Sequence, residues 1–315
     1  MQITPPSLSA IRTQYSKIFQ EAFFKHEIFW PRLAQLFTST AEFTTHVWMD
    51  RIPQLRKWVG DRIIQSASLR TYQLANVPWE LTEGLDRYKI ADDQLGLFEP
   101  VVRQMAEQAK KWPDTMLFNA TTGALPNGQS VLTYDNQNFY STTHPVNMDA
   151  VGGPVQSNYS ASGMALNAAN YNLVRNTMRS YRGADGLPMG VRPSLLVVPP
   201  ALETQAIQIL KETWMAPAVA VGMNAASVPQ TNPFMATAEI LVIPDLAGQD
   251  TRWYLLDNTS SIKPFIFQLR DPAEFVMKNK PDDPAIFSRH EIQYGVSVRG
   301  AAGYGPWFYA YSAQA

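Results

Sequence analysis

The stretch from Thr44 to Ile90 limits most strongly what this chain can fold into. Short runs of Val, Ile, Trp, Tyr and Thr are separated there by Pro53, Gly60, Pro78 and Gly84. This pattern is typical of strands joined by turns, and acidic and basic side chains are mixed along it. An antiparallel sheet inside a globular domain would have the same pattern. The stretch alone therefore leaves open both an ordinary sheet and a projecting ribbon.

Helical patterns lie on both sides of this stretch. Residues 4–30 predict a helix that Ser7 can cap, with apolar residues at steps of three and four. These are Leu8, Ile11, Tyr15, Ile18 and Ala22. A ribbon of strands between two helices has little local core, so we expect a sister copy to cover the apolar side chains of both the first thirty residues and residues 46–90.

The second helical pattern follows Asp92 and Asp93. An acidic pair at this position suits helix capping and the helix dipole better than acid–base chemistry. One face is apolar, and Pro113 is predicted to end the helix. The residues of that face are Phe98, Val102, Met105, Ala109 and Trp112.

The rest of the chain mixes helices and strands without a regular alternation. Residues 134–146 are dense in Asn, Gln, Ser and Thr, which predicts a hydrogen-bonded loop. Helices are predicted over 164–181 and 201–212, and a buried strand over 192–200. Further strands are predicted at 239–245, 253–257, 263–268, 274–278, 291–299 and 307–312, with glycine-rich 300–305 as a tight turn. This order predicts the α+β class.

Composition favours an obligate oligomer. Only 17% of residues are charged and 45% are hydrophobic, and such chains hide much of their surface in a core or against neighbours. The net charge of −1 argues against a dedicated nucleic-acid binder. The uncharged segment 213–238 contains three prolines, so we interpret it as a loop and expect no membrane span or signal peptide.

Signatures of catalysis are missing from the sequence. It contains no phosphate-binding GxxxxGK[ST] loop, no GxGxxG, no HExxH and no GxSxG, and without cysteine it has no thiolate metal ligand. Its histidines are far apart and lack a His or carboxylate partner at ligand spacing. They are His26, His46, His144 and His290. We therefore expect no enzyme, no catalytic residue, no cofactor and no metal.

Five segments, taken together, resemble the major head subunit of Mu-like phages. They are WVGDRIIQ (58–65), DDQLGLFEP (92–100), YDNQNFYSTTHPV (134–146), the run from WYLLD to DPAEF (253–275) and RGAAGYGPW (299–307). Each is modest alone, but their common order over nearly the whole chain is specific. Residues 213–238 match no segment of that family that we recognise.

The resemblance implies an α+β fold of the Hong Kong 97 phage capsid type. It divides the chain into an N-terminal arm (1–45), an extended loop (46–90), a peripheral domain (91–184) with a spine helix at 92–112, an axial domain (185–262) and returning peripheral strands (263–315). The function implied is a structural subunit that forms pentamers and hexamers of an icosahedral shell around phage double-stranded DNA.

The resemblance also implies partners and contact residues. The partners would be further copies of the chain, a scaffolding protein, a portal, a decoration protein and DNA bound without sequence specificity, in a virion assembled in the host bacterial cytoplasm. Predicted contacts between subunits are Phe19, Phe23 and Trp30 on the arm and Trp48, Trp58, Arg62, Tyr72 and Trp79 on the extended loop. An encapsulin-like nanocompartment shell and an unrecognised α+β enzyme remain the alternatives.

Overall fold

The computed structural model describes residues 5–49, 69–86, 89, 98–121, 132–150, 152–215, 230–278 and 290–315. Helices in these ranges are α1 (Pro5–Lys25), α2 (Trp30–Leu33), α3 (Glu99–Thr121), α4 (Ala168–Arg179) and α5 (Glu203–Leu210). The longer strands are β1 (Ala34–Thr38), β2 (Phe43–Met49), β3 (Leu69–Ala75), β4 (Val77–Asp86), β8 (Leu195–Val198), β11 (Glu239–Val242), β12 (Arg252–Leu256), β13 (Phe265–Lys278), β14 (Glu291–Tyr304) and β15 (Ala310–Gln314). Two-residue strands are β5 (His144–Pro145), β6 (Val155–Gln156), β7 (Tyr159–Ser160), β9 (Trp214–Met215) and β10 (Gln230–Thr231).

Two sheets organise the described chain. The first sheet has four strands in the order β1-β13-β14-β4, and the second has five in the order β11-β8-β12-β15-β7. Strands β2 and β3 pair antiparallel as a separate two-stranded ribbon. The short strands β9 and β10 pair near the two ends of the predicted loop 213–238, of which residues 216–229 lie outside the described ranges. Mixed helices and sheets confirm the predicted α+β class.

The helix α1 packs against α3 and one face of the first sheet. Its buried residues include Tyr15 and Phe19, which share a cluster with Met105 of α3 and Tyr294 of β14. Burying an apolar side chain of this size contributes about 1.5–3 kcal/mol. The helical pattern is thus confirmed, but the expectation that a sister copy must cover this apolar face is wrong, since the chain covers it itself.

The helix α3 continues through Pro113 to Thr121, so the predicted end at Pro113 is wrong. Proline inside a helix costs about 3 kcal/mol because it removes one hydrogen bond and crowds the preceding turn. The turn beyond it is buried in compensation: Met116, Leu117 and Phe118 belong to the central hydrophobic cluster. The predicted helix start at 92–97 lies outside the described residues.

The strand β14 runs through the glycine-rich segment to Tyr304, so the predicted tight turn over 300–305 is wrong. A Cβ atom on Gly300 would lie 2.4 Å from the carbonyl oxygen of Gln268, and one on Gly303 would lie 3.0 Å from Leu74 Cδ2. Glycine in a strand often marks such a close approach of another chain segment. The segments 263–268 and 274–278 likewise form one strand, β13, with register shifts between Leu269 and Glu274.

The central core is built on the second sheet. All four residues of β8 are buried, as sequence predicted for this strand. The helix α4 contributes Tyr171, Val174 and Met178, and α5 contributes Ala206, Ile209 and Leu210. Asn167 caps α4 by accepting a hydrogen bond from the Asn170 amide at 2.9 Å. No helix among the described residues is both long and apolar enough to cross a membrane.

Candidate assembly surfaces and a buried polar cluster

The ribbon of β2 and β3 has one covered face and one open face. Tyr72 and Leu74 are buried against Ile266 and Ala301 of the first sheet. On the opposite face Phe43 and Val47 are 52% and 53% exposed. Because an isolated two-stranded ribbon is only marginally stable in water, the covered face fixes the ribbon to its own chain, while the apolar side chains of the open face remain exposed.

A buried polar network holds the base of the ribbon. Gln268 of β13 donates from Nε2 to Leu74 O at 3.1 Å and to Asn76 Oδ1 at 2.8 Å. Its Oε1 atom is therefore the acceptor for His46 Nε2, 2.9 Å away. Asn76 in turn donates to Ser39 Oγ at 2.8 Å. Burial lowers the pKa of His46, and the hydrogen bond to Gln268 opposes that shift less strongly.

The loop 134–146 contains a buried ion pair. His144 Nδ1 lies 2.6 Å from Asp135 Oδ2, with the side chains 0% and 1% exposed. The expectation that His144 lacks a carboxylate partner is therefore wrong. The loop brings together two residues nine positions apart in sequence, a spacing that no metal-site motif would have flagged.

Every polar neighbour of the His144 ring is an acceptor. Nε2 faces Phe139 O at 3.2 Å and Asn158 Oδ1 at 3.1 Å, and Asn158 uses its Nδ2 to donate elsewhere. Both ring nitrogens thus lie within hydrogen-bond distance of an acceptor. The ring also stacks on Trp307 at 4.2 Å between centroids.

Asp135 is the acidic partner of this ring. Burial raises the pKa of its carboxyl, but the hydrogen bond and the charge of His144, with hydrogen bonds from Thr133 and the Gln137 amide, outweigh burial and lower the pKa. The donors and acceptors of the pair are taken up within the chain. The pair therefore fixes the loop against Trp307 and is structural rather than reactive.

The predicted arm contacts lie partly inside the chain. Phe19 is 4% exposed and packs on Phe275 with ring centroids 4.9 Å apart. Trp30 is half-buried on Phe267 at 4.8 Å. Phe23 is also half-buried, with Lys110 Nζ 4.7 Å from its ring centroid. Phe23 and Trp30 keep surface that a neighbour can reach, whereas Phe19 keeps very little.

The predicted loop contacts divide in the same way. Tyr72 is 7% exposed, and Trp79 is half-buried with its ring 6.3 Å from that of Trp112. Trp48 lies on β2 opposite Arg70, and its side chain is not described. Trp58 and Arg62 lie outside the described residues.

No sequence pattern singled out Phe24. Its side chain is 77% exposed, more than any other large hydrophobic residue among those that the structure describes. It borders an open groove of about 710 Å³ between α1 and β13, together with Phe23, Pro272 and Phe275. The two-residue spacing of Phe43, Thr45 and Val47 was a usable signal for one face of a strand. For Phe24 the helical pattern predicted only that the side chain lies outside the buried face of α1.

A family model for the Mu-like prophage major head subunit gpT matches residues 8–164, 155–246 and 244–315. The chain belongs to this family. The head subunit is 27% identical over 307 residues to the major capsid protein of Escherichia phage Mu, a match that covers 98% of this chain and 73% of that protein.

Solved capsids have the same fold. The head subunit matches a chain in the procapsid of bacteriophage JBD30 with a TM-score of 0.59 at 27% identity, over 99% of this chain and 76% of that one. A virus-like particle from Pyrococcus furiosus matches with a TM-score of 0.53 at 7% identity, over 95% of this chain and 96% of that one, which shows the fold alone. The head subunit is a phage major capsid protein with the Hong Kong 97-like α+β fold, as the resemblance predicted.

Proposed function

We propose that copies of this chain assemble into hexamers and pentamers of an icosahedral shell that encloses phage double-stranded DNA. The observation that carries this proposal is the open face of the ribbon. Phe43 and Val47 are about half exposed there, while the opposite face is fixed to the body of the subunit. Exposed apolar side chains on a strand pair that is anchored by its other face offer a site for association.

The parts of the subunit follow the family pattern. We assign residues 1–45 to the arm, 46–90 to the extended loop, 91–184 to the peripheral domain, 185–262 to the axial domain and 263–315 to the returning strands. Support comes from α1, the ribbon, α3 and the β8, β11 and β12 strands of the second sheet. Two features adjust the boundaries: β4, within 46–90, pairs with β14 over ten positions, and β15 joins the second sheet.

Contacts between subunits would use the remaining surface of Phe23, Trp30 and Trp79, and also Trp48, Trp58 and Arg62. Phe19 and Tyr72 would support these contacts from beneath. Head-to-tail contacts between identical subunits close into rings when the rotation permits. Obligate interfaces bury roughly 2,000 Å² or more, and half of that as apolar area contributes on the order of 25 kcal/mol before entropic costs.

Further partners would be a scaffolding protein, a portal and a decoration protein, with assembly in the host bacterial cytoplasm. A net charge of −1 suits a wall that encloses DNA without reading its sequence. A nanocompartment shell would use the same fold. The match to a phage head family over most of the chain favours the virion, and a particle loaded with an enzyme instead of DNA would favour the compartment.

Negative-stain electron microscopy of the purified protein tests the proposal directly. We expect hollow polyhedral particles from the wild type and few or none from the double variant Phe43→Ser, Val47→Ser. Thr45→Ser is the matched control, because Thr45 lies between them on the same face of β2, and it should assemble normally. A wild-type protein that remains a compact monomer at high concentration contradicts the proposal.

A further inference from the structure

One flank of α4 carries an arginine cluster, which we name the arginine flank: Arg175, Arg179 and Arg182. Arg175 and Arg179 are one helical turn apart and lie beside each other, next to the face on which Tyr171, Val174 and Met178 are buried in the core. Arg182 follows just after the helix and is exposed, as is Arg179. Residues 150–184 contain these three arginines and no Asp or Glu.

The arginine flank has no carboxylate partner within the described chain. Arg175 is half-buried, and its Nε atom is buried without a hydrogen-bond partner. Arg182 donates to a backbone carbonyl, Gly186 O, at 2.8 Å. Cations at the C-terminal end of a helix complement its dipole. One arginine in the last turn is enough for that effect, so the dipole does not explain why three arginines lie on one flank.

A surface of opposite charge lies on β4, which we name the acidic edge strand. It contains Glu80, Glu83 and Asp86 and no Lys or Arg. It pairs with β14 on one side, and no strand in the described part of the chain pairs with its other side. An unpaired strand edge is a ready site for association.

The alternation of β4 places Glu80 on the open side of the first sheet. Trp79 packs against the central cluster and Leu85 against the cluster around α1 and α3, so even-numbered residues face away from the helices. Glu80 and Thr82 are exposed there, with the Thr82 hydroxyl donating to Glu80. Leu187 is exposed beside Arg182, so the arginine flank has apolar area next to it.

We propose that the arginine flank of one copy binds the acidic edge strand of a second copy. The arginine flank is positively charged and the acidic edge strand is negatively charged, and they lie on different parts of the subunit. A contact between unlike surfaces of identical copies runs head to tail, which is the geometry that closes a ring. The inference rests on the proposed function and adds to it the pair of surfaces that sets the orientation of neighbours.

A second copy explains more of the observations than DNA does. Phosphates would account for the arginine flank, but not for the exposed Glu80 carboxylate or for the open backbone edge of β4 in the described part of the chain. Exposed ion pairs are individually weak, so their main effect is on the rate and register of association, and this effect is screened by salt.

Charge reversal with rescue tests the contact. The single variants Arg179→Glu and Glu80→Arg each place like charges opposite one another, and we expect about tenfold fewer closed particles from each. The double variant in one chain restores opposite charges at every contact, and assembly should return to near the wild-type level. Light scattering gives the assembly rate, and electron microscopy counts closed particles.

Lys211→Glu is the control, because Lys211 is likewise an exposed cation at a helix C-terminus, that of α5; it should assemble as the wild type does. Circular dichroism melts establish that each variant is folded. Should a reversal variant unfold, Arg179→Gln serves instead, and it should weaken the salt dependence of the assembly rate.

The outcomes separate this inference from the proposed function. If the wild type forms no particles, the capsid assembly itself is wrong. If the wild type assembles and the single reversals do too, or the double variant is not rescued, then the contact is wrong while the shell stands. Normal shells of Arg179→Glu with reduced DNA content assign the arginine flank to DNA and also overturn the contact.

Discussion

The two sheets of the subunit differ in how completely the chain covers them. In the second sheet β8 is fully buried and β12 is almost so, because α4, α5 and the loop 134–146 all pack into the same cluster. In the first sheet α1 and α3 cover one face. Most residues of β4 are exposed, and so is the outer face of the ribbon. The second sheet is therefore covered largely within its own chain, whereas the first sheet and the ribbon keep the open surface that we propose a neighbouring copy covers.

The largest effect should come from comparing two phenylalanines of α1, one on the buried face of the helix and one on its exposed face. Phe24→Ser removes a side chain that is 77% exposed, so the unfolding free energy should change by less than about 0.5 kcal/mol while closed particles are lost. Phe19→Ala opens a cavity in the cluster and should cost about 3–5 kcal/mol. Chemical denaturation and electron microscopy measure the two effects. A destabilised Phe24→Ser subunit would remove the distinction between these faces.

The second comparison sets a buried ion pair against an exposed one. His144→Ala leaves the Asp135 charge buried and unpaired, which should cost about 3–5 kcal/mol of unfolding free energy. Asp149→Ala breaks the ion pair between Arg70 and Asp149, in which the two charged atoms are 2.5 Å apart. Because the Asp149 side chain is 67% exposed, the loss should cost only about 0–1 kcal/mol of unfolding free energy. Urea titrations of both variants measure the difference, and equal costs would show that the loop is not held by the pair.

A third test concerns the close approach of strands in the first sheet. Gly300→Ala places a methyl group 2.4 Å from the Gln268 carbonyl oxygen, and we expect a loss of about 1–3 kcal/mol. Gly153→Ala is the control, because its nearest neighbours would be 3.5 Å away. Thermal melts that show the same stability for both would mean that β13 and β14 can separate at no cost.

The smallest effect is on the pH dependence at the ribbon base. The folded chain holds His46 with a pKa below its ordinary value of 6.5 because the ring is buried. As pH falls below about 6.5 the unfolded chain binds the proton first, so stability decreases until the folded pKa is reached. His46→Gln should remove this slope while keeping a side chain that can donate to Gln268. A slope that is unchanged in the variant would assign it to another group.

Local patterns predicted most helices and strands, and they failed where one segment depends on a distant one. The face of α1 and the strand at 195–198 follow from periodicity alone. The continuation of α3 past Pro113 depends on Met116, Leu117 and Phe118 reaching a cluster built mostly from the second half of the chain. The sequence of residues 300–304 predicts a turn, but the segment forms a strand because it pairs with β13.

The assembly residues show the same limit. Phe19 and Tyr72 were predicted to contact a neighbouring subunit, but the sequence did not reveal that both side chains are buried against residues of their own chain. Exposure of Phe24, Phe43 and Val47 results from which faces α3 and the first sheet happen to cover. The pairing of His144 with Asp135 likewise depends on the path of the loop.

The sequence by itself determined the α+β class, the main helices and strands, the family and hence the role as a capsid subunit, because these depend on local periodicity and on motifs in a fixed order. Only the tertiary structure decided which apolar faces remain open, which strand edge is free and which charges lack a partner. Burial is a property of pairs of segments distant in sequence, and no local pattern contains it.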